Sequence, residues 1–275
     1  MARRHRPWSD AWMRALETLA LFDREMRERA RPDGPGVRVE RVGAVVRQTG
    51  GADDWNGVVW TAPGLSPADA RAGITAQIEH YTALGIGEFE WKRYAHDDPA
   101  SLGELLTAAG FEAEPPETLL VAPVADLATD VRLPEGVRLL TVTDAAGVEL
   151  MVRAHESAFG TDGSRLRHQV LARLAGDPGT FVALVALADG EPVSSARMEL
   201  HPGTGFAGLW GGGTVEHWRG RGVYRALVAH RAALAAERGY RHLQVDATDR
   251  SAPILRRLGF SALSTVTPYV YRTTP

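Results

Sequence analysis

The sequence contains no cysteine. That absence excludes disulfides, thiolate metal sites and a cysteine nucleophile. Also missing is any apolar run near the roughly 18 residues that cross a bilayer, and the arginines of Met1–Arg6 have no apolar signal segment behind them. A cytoplasmic location without a membrane partner is expected. Nor is there an excess of positive charge, since 31 lysines and arginines stand against 34 aspartates and glutamates, a formal net charge of −3. No general field draws nucleic acid, and any phosphate recognition has to come from a local cluster. Lysine itself is nearly missing. Lys92 stands alone among arginines, which with the abundance of alanine and glycine reads as a GC-rich coding bias.

What is present supports a folded core. Apolar residues form 44% and charged residues 24% of 275 positions, a globular composition, and roughly 150 residues per domain suggests two units. The spacing of Trp12, Leu16, Leu19, Phe22 and Met26 predicts an amphipathic helix over residues 9–30, with Ser9 and Asp10 as caps. Strands follow at 37–48 and 55–61, a helix at 66–84, a strand at 88–94, a helix at 98–109 and a strand at 118–124. The Pro- and Asp-bearing stretch 123–136 is the linker candidate.

Beyond it the pattern gives a strand at 137–142, helices at 144–158 and 164–175, and strands at 180–188, 192–200 and 205–215. A helix opens at Gly222, with Val223, Leu227, Val228, Leu234 and Ala235 near a 3.6 period, and stops at Gly239. A strand at 241–246, a short helix to Leu258 and a strand at 263–271 complete the chain. Ser101–Leu106 up to Gly110-Phe111 resembles Ser251–Leu255 up to Gly259-Phe260, a weak internal repeat of one α/β unit.

The segment with chemical content is Leu209 to Arg225, which runs from a strand directly into a helix. Amides at a helix start lack internal partners and converge on one spot, where the helix dipole adds partial positive charge. Gly220 and Gly222 let the backbone approach a diphosphate, and Arg219, Arg221 and Arg225 can add charge-assisted hydrogen bonds. Here Arg219-Gly220-Arg221-Gly222-Val223 resembles the pyrophosphate-binding signature of the GNAT superfamily of acetyl-CoA-dependent N-acetyltransferases. The following helix and Leu258-Gly259-Phe260 resemble its later segment, and the likeness covers residues 137–272.

The resemblance implies an α/β fold of two tandem GNAT-like mixed-sheet domains, the first degenerate, at 1–125 and 137–275. It implies a sheet splayed between the strands 205–215 and 241–246, acetyl-CoA as co-substrate, and a cradle of Thr214, Val215, Arg219, Gly220, Arg221, Gly222, Val223, Tyr224 and Arg225. Gly211–Gly213 within a strand suggest a bulge that frees amides for the thioester carbonyl. Three positions depart from the family pattern: Tyr224 replaces a small residue, Glu216 replaces a proline, and Leu255 stands where many members carry a proton-donating tyrosine. Tyr224, Tyr240 and Tyr269 are the substitutes to weigh.

An amine acceptor needs a base, because an alkylammonium near pKa 10 cannot attack. Glu199 is the first candidate and Glu216 the second, with a solvated strand-end carboxylate or an ion pair with Arg197 as the alternatives for Glu199. The histidines show no ligand spacing, and Asp98 before Pro99 reads as a helix cap in His96-Asp97-Asp98, so no metal is expected. In the first half the equivalent of the cradle reads Ala62-Pro63-Gly64-Leu65-Ser66-Pro67, an ordinary helix start that is not expected to bind CoA. That half is expected to wall the acceptor cleft, with Trp55, Trp60, Trp91 and Tyr94 as lining candidates. The resulting expectation is acetyl transfer to a small-molecule or peptide amine by direct attack, the other reading being a non-catalytic acyl-CoA sensor or scaffold.

Overall fold

The computed structural model describes residues 10–273. The first half comprises α1 (Asp10–Phe22), β1 (Arg38–Val42), β2 (Val45–Thr49), β3 (Gly57–Thr61), α2 (Pro67–Ala83), β4 (Glu88–Tyr94), α3 (Leu102–Ala108), β5 (Glu112–Ala113) and β6 (Glu117–Pro123). The second comprises β7 (Val137–Thr141), α4 (Ala145–Phe159), α5 (Ser164–Gly176), β8 (Phe181–Ala188), β9 (Glu191–Leu200), β10 (Phe206–Thr214), α6 (Val223–Glu237), β11 (His242–Ala247), α7 (Ala252–Arg257) and β12 (Ser261–Arg272).

Local chemistry sets several of these boundaries. Ser66 Oγ accepts from the Asp69 amide at 3.1 Å and Pro67 occupies the first turn of α2, while Asp144 Oδ1 accepts from the Gly147 amide at 2.8 Å to start α4. Gly160, at φ 72°, ends α4 in the left-handed conformation that favours glycine.

Three elements differ from the sequence expectation. The strand at 37–48 is a hairpin, because Gly43 at φ 58° turns the chain between β1 and β2. The helix at 9–30 is α-helical only to Phe22 and continues as a wider turn over Asp23–Glu28; Ser9 lies outside the described residues. In that turn the buried Arg27 donates to both Asp97 carboxylate oxygens at 2.8 Å and to Asp23 at 2.7 Å, and lies 4.0 Å from the Tyr94 ring centre. Asp98 does not cap a helix, since α3 begins at Leu102 and Asp98 Oδ2 accepts from the Gly64 amide at 2.6 Å.

The strands form one continuous sheet in the order β1-β2-β3-β4-β12-β6-β11-β10-β9-β8-β7, with β5 beside β12. Each half lends its last strand to the other. β6 lies between β11 and β12, and β12 lies between β4 and β6. Antiparallel strands, three in the first half (β1-β2-β3) and four in the second (β7-β8-β9-β10), lead to a parallel pair, β3 with β4 and β10 with β11, so the halves share one topology apart from the added β7. Leu120 and Ala122 of β6 are buried in the core of the second half with Leu209, Leu227 and Leu243. Leu119 and Val121, from its other face, meet Phe22 and Phe206. Withdrawing β6 would expose three large apolar side chains, at about 1.5–3 kcal/mol each, so the exchange binds the halves together.

Candidate active site

β10 and β11 remain bonded over only three pairs, Phe206–His242, Ala207–Leu243 and Gly208–Gln244. Beyond these the strands part and open a gap. At the same level β10 slips register against β9, so that Gly211 and Gly212 stand against the single position of Ala196. Gly211 has φ 55°, a Cβ on Gly212 would meet Tyr224 Cε2 at 2.8 Å, and one on Gly213 would meet Phe159 Cε2 at 2.4 Å. The triple glycine therefore makes a bulge with side chains packed close on it. Its unpaired backbone can offer N–H groups to a developing oxyanion.

The chain then turns through Glu216–Trp218 into α6. Gly220 and Gly222 have φ 74° and 88°, and a Cβ on either would meet nothing within 4 Å. No side chain caps α6, so the amides of Gly222, Val223, Tyr224 and Arg225 are left without acceptors of their own. Open space, free amides and the helix dipole together fit an anion such as a diphosphate. Arg225 is exposed beside this space. Arg219 spends two donors on the protein, from Nε to Thr214 O at 3.0 Å and from Nη2 to Ala158 O at 3.1 Å, and so ties the turn to the end of α4. Arg221 stacks on Trp218 at 4.7 Å. Val215 is core, its amide bonded to Val193 O, and Thr214 Oγ1 lies 3.0 Å from Ser194 Oγ.

Residues 147–260 match the model of the acetyltransferase (GNAT) family. These residues are similar to the GNAT family. No curated protein sequence matches the chain. Among solved structures, a GCN5-related N-acetyltransferase from Kribbella flavida is 21% identical with TM-score 0.65, covering 98% of both chains. A tandem GNAT protein from the clavulanic acid biosynthesis pathway is 14% identical with TM-score 0.62, covering 97% of this chain and 96% of that one. A GCN5-related N-acetyltransferase from Sphaerobacter thermophilus is 17% identical with TM-score 0.62, over 84% of this chain and 78% of that one. The full chain thus has a tandem GNAT-like fold, its two mixed sheets fused into one.

One cavity of about 1680 Å³ runs from the cradle of the GNAT-like domain, past the β10 bulge, onto a sheet face shared by both halves. Glu199 lines it. The register sets Glu199 opposite Gly208, the last residue of β10 still paired with β11. The carboxylate makes no salt bridge or hydrogen bond among the described residues, and burial deep in the cleft raises its pKa against the opposing pull of Arg197, Arg173 and Lys92. Glu216 is exposed on the turn before the cradle and does not line the cavity. Of the three tyrosines, Tyr224 lines the cavity, Tyr240 packs against the core and Tyr269 packs on Gly103 of α3. Leu255 is a fully buried core residue.

From the first half, Trp55 and Tyr94 line the cleft, whereas Trp91 is core and Trp60 lies beneath Arg41. Several lining groups escape the sequence reading. Lys92 is one of them, 3.2 Å from Asp246 and facing the rings of Trp55 and Trp210 at 5.9 and 5.2 Å. Asp33 is raised by burial to about 6, Glu117 to about 7, and His201 is lowered by burial to about 4. Buried polar atoms without partners converge here: Glu90 Oε1, Asp246 Oδ1, Arg173 Nε, Arg197 Nε, His201 Nε2 and Trp210 Nε1 all belong to lining residues. Such atoms are costly unless a polar ligand meets them. The one visible signal was polarity inside strands, at Glu117, Gln244 and Asp246.

At the matching position in the first half two backbone amides have side-chain acceptors. Asp98 takes the Gly64 amide and Ser66 takes the Asp69 amide.

Proposed function

We propose that the protein is a cytoplasmic acetyltransferase that moves an acetyl group from acetyl-CoA, bound as co-substrate, to the amine of a small molecule or peptide. The observation that carries this reading is the single cavity joining the α6 cradle to Glu199 across the β10 bulge. The active unit is taken as residues 137–275, with 1–125 as a partner that builds the acceptor cleft and leaves CoA to the second half.

In this reading the amides from Gly220 to Arg225, with Arg225 and the remaining donors of Arg219 and Arg221, hold the diphosphate of CoA. Thr214 presents the end of β10 along the pantetheine arm, whereas Val215, buried with its amide bonded to Val193 O, only anchors the turn; the bulge amides polarise the acetyl carbonyl. Glu199 takes a proton from the acceptor ammonium, its raised pKa bringing it nearer to the amine it must deprotonate. The amine nitrogen then attacks the carbonyl carbon, an N–C bond forms, the C–S bond breaks with its electron pair leaving on sulfur, and the proton that the nitrogen sheds as it becomes an amide balances the one that the thiolate takes up. Tyr224, which lines the cavity and whose hydroxyl pKa is raised by burial, is our candidate to return a proton to the thiolate. A thiol near pKa 8.5 departs readily enough for that help to be modest.

The fully buried Leu255 favours a second reading, an acyl-CoA sensor that binds without turnover. Release of free CoA thiol from acetyl-CoA in the presence of a panel of amines separates the two. Amine-dependent release supports transfer; tight binding with no release over the panel supports the sensor.

A further inference from the structure

The cleft carries carboxylates in two places. On β9, Glu199 shares its neighbourhood with Asp33; Arg173 answers both, and Arg197 answers Glu199 as well. On the far side of the β10–β11 gap stand Glu90 of β4, Glu117 of β6 and Asp246 of β11, and this group is less well matched. Lys92, 3.2 Å from Asp246 Oδ2, is the ammonium set against the three. Asp246 is 4% exposed with Oδ1 unpartnered, and Glu90 Oε2 accepts from Trp55 Nε1 at 2.8 Å while Oε1 has no partner. Glu117 makes no hydrogen bond or salt bridge among the described residues, and all three line the cavity.

We infer that the acceptor carries a second cationic group, which seats among Glu90, Glu117 and Asp246 while its reacting amine faces Glu199. The inference rests on the transfer reading for the role of Glu199 and on the unpartnered oxygens for the second seat. A cation there would give Asp246 Oδ1 and Glu90 Oε1 the charge-assisted hydrogen bonds they lack. The rings of Trp55 and Trp210, already turned toward Lys92, supply an aromatic wall that suits an ammonium. Glu199 on β9 and Gln244 on β11 are two strand spacings apart, about 10 Å, with Asp246 two residues further along. The span suits a flexible diamine. Burial that holds Glu117 up at about 7 is consistent with an anion short of a counter-charge, and a bound cation should release its proton.

The test is calorimetric titration of 1,4-, 1,6- and 1,8-diaminoalkanes, and of monoamines of equal length, into the full chain saturated with CoA. The expected result is that at least one diamine binds at least about tenfold more tightly than its matched monoamine. That advantage should shrink in Glu117→Gln and in Glu90→Gln, each checked for a single cooperative unliganded melt at the pH of the titration. Equal binding of diamine and monoamine, no diamine binding, or an unchanged ratio in both variants would overturn the inference. Binding needs no turnover, so diamine preference without acetylation would reject transfer and leave the second seat standing. Acetylation without diamine preference would reject the second seat alone.

Discussion

Lys92 on β4 reaches over β12 and β6 to Asp246 on β11, closing to 3.2 Å. The two strands it crosses are those that the halves exchange, so this ion pair joins the two units over their seam. Both residues also line the cavity.

Removing the cation should therefore cost stability as well as shape. Lys92→Met leaves Asp246, with its side chain 4% exposed, without its counter-ion. A loss of about 3 kcal/mol is expected in urea unfolding at pH 8, as for other buried pairs broken on one side. Lys92→Arg should recover part of it.

Glu117 gives a stability effect of predictable sign. Its folded pKa of about 7 lies above the ordinary carboxylate value of 4.5, so the folded state holds the proton longer. Stability contributed by this group is present below 4.5 and is lost as pH rises to about 7. Glu117→Gln removes that loss. With screening by the open cleft it should stabilise the protein by about 1 kcal/mol at pH 8, or about 2–4 °C in melting temperature, and have little effect at pH 4.5.

His201 acts in the opposite direction. Its pKa, lowered by burial to about 4 from 6.5, means that the unfolded chain takes up a proton that the folded protein refuses. Stability is full above 6.5 and falls as pH drops toward 4. His201→Gln should flatten that acid limb by about 1 kcal/mol at pH 5 in denaturant titrations.

Much of this arrangement was legible because it is local. The glycines at 220 and 222 have the positive φ their place before a helix demands, and Gly211–Gly213 make a bulge for want of side chains. Most element boundaries follow periodicity and caps, as at Ser66 and Asp144. What escaped was long-range. Nothing in Glu117–Pro123 itself states that it pairs with β11 of the other half, and an apolar strand buried on both faces fits either sheet. The same holds for the cleft, because Asp33, Lys92, Glu117 and Asp246 come together only through that exchange. Lys92 looked like a remnant of codon usage, and Asp98 looked like a cap until Gly64 was found on it.

Substitution at the cradle should separate binding from folding. Gly222→Val places a branched side chain at φ 88°, which costs about 1–3 kcal/mol in backbone strain and projects into the space proposed for the diphosphate. Acetyl-CoA at about 100 times its dissociation constant should stabilise the wild type by about 2.7 kcal/mol in a thermal melt. The variant should melt lower and show little response.

The most direct test of acetyl transfer is the amine-dependent release of CoA thiol by wild type and Glu199→Gln, followed from pH 6 to 9. The wild type should turn over with a rate that rises with pH, and the variant should lose about 10²–10⁴ in kcat while keeping its thermal response to acetyl-CoA. Equal rates and equal pH profiles in the two proteins would contradict the assignment of Glu199, and no amine-dependent release from either would contradict transfer itself.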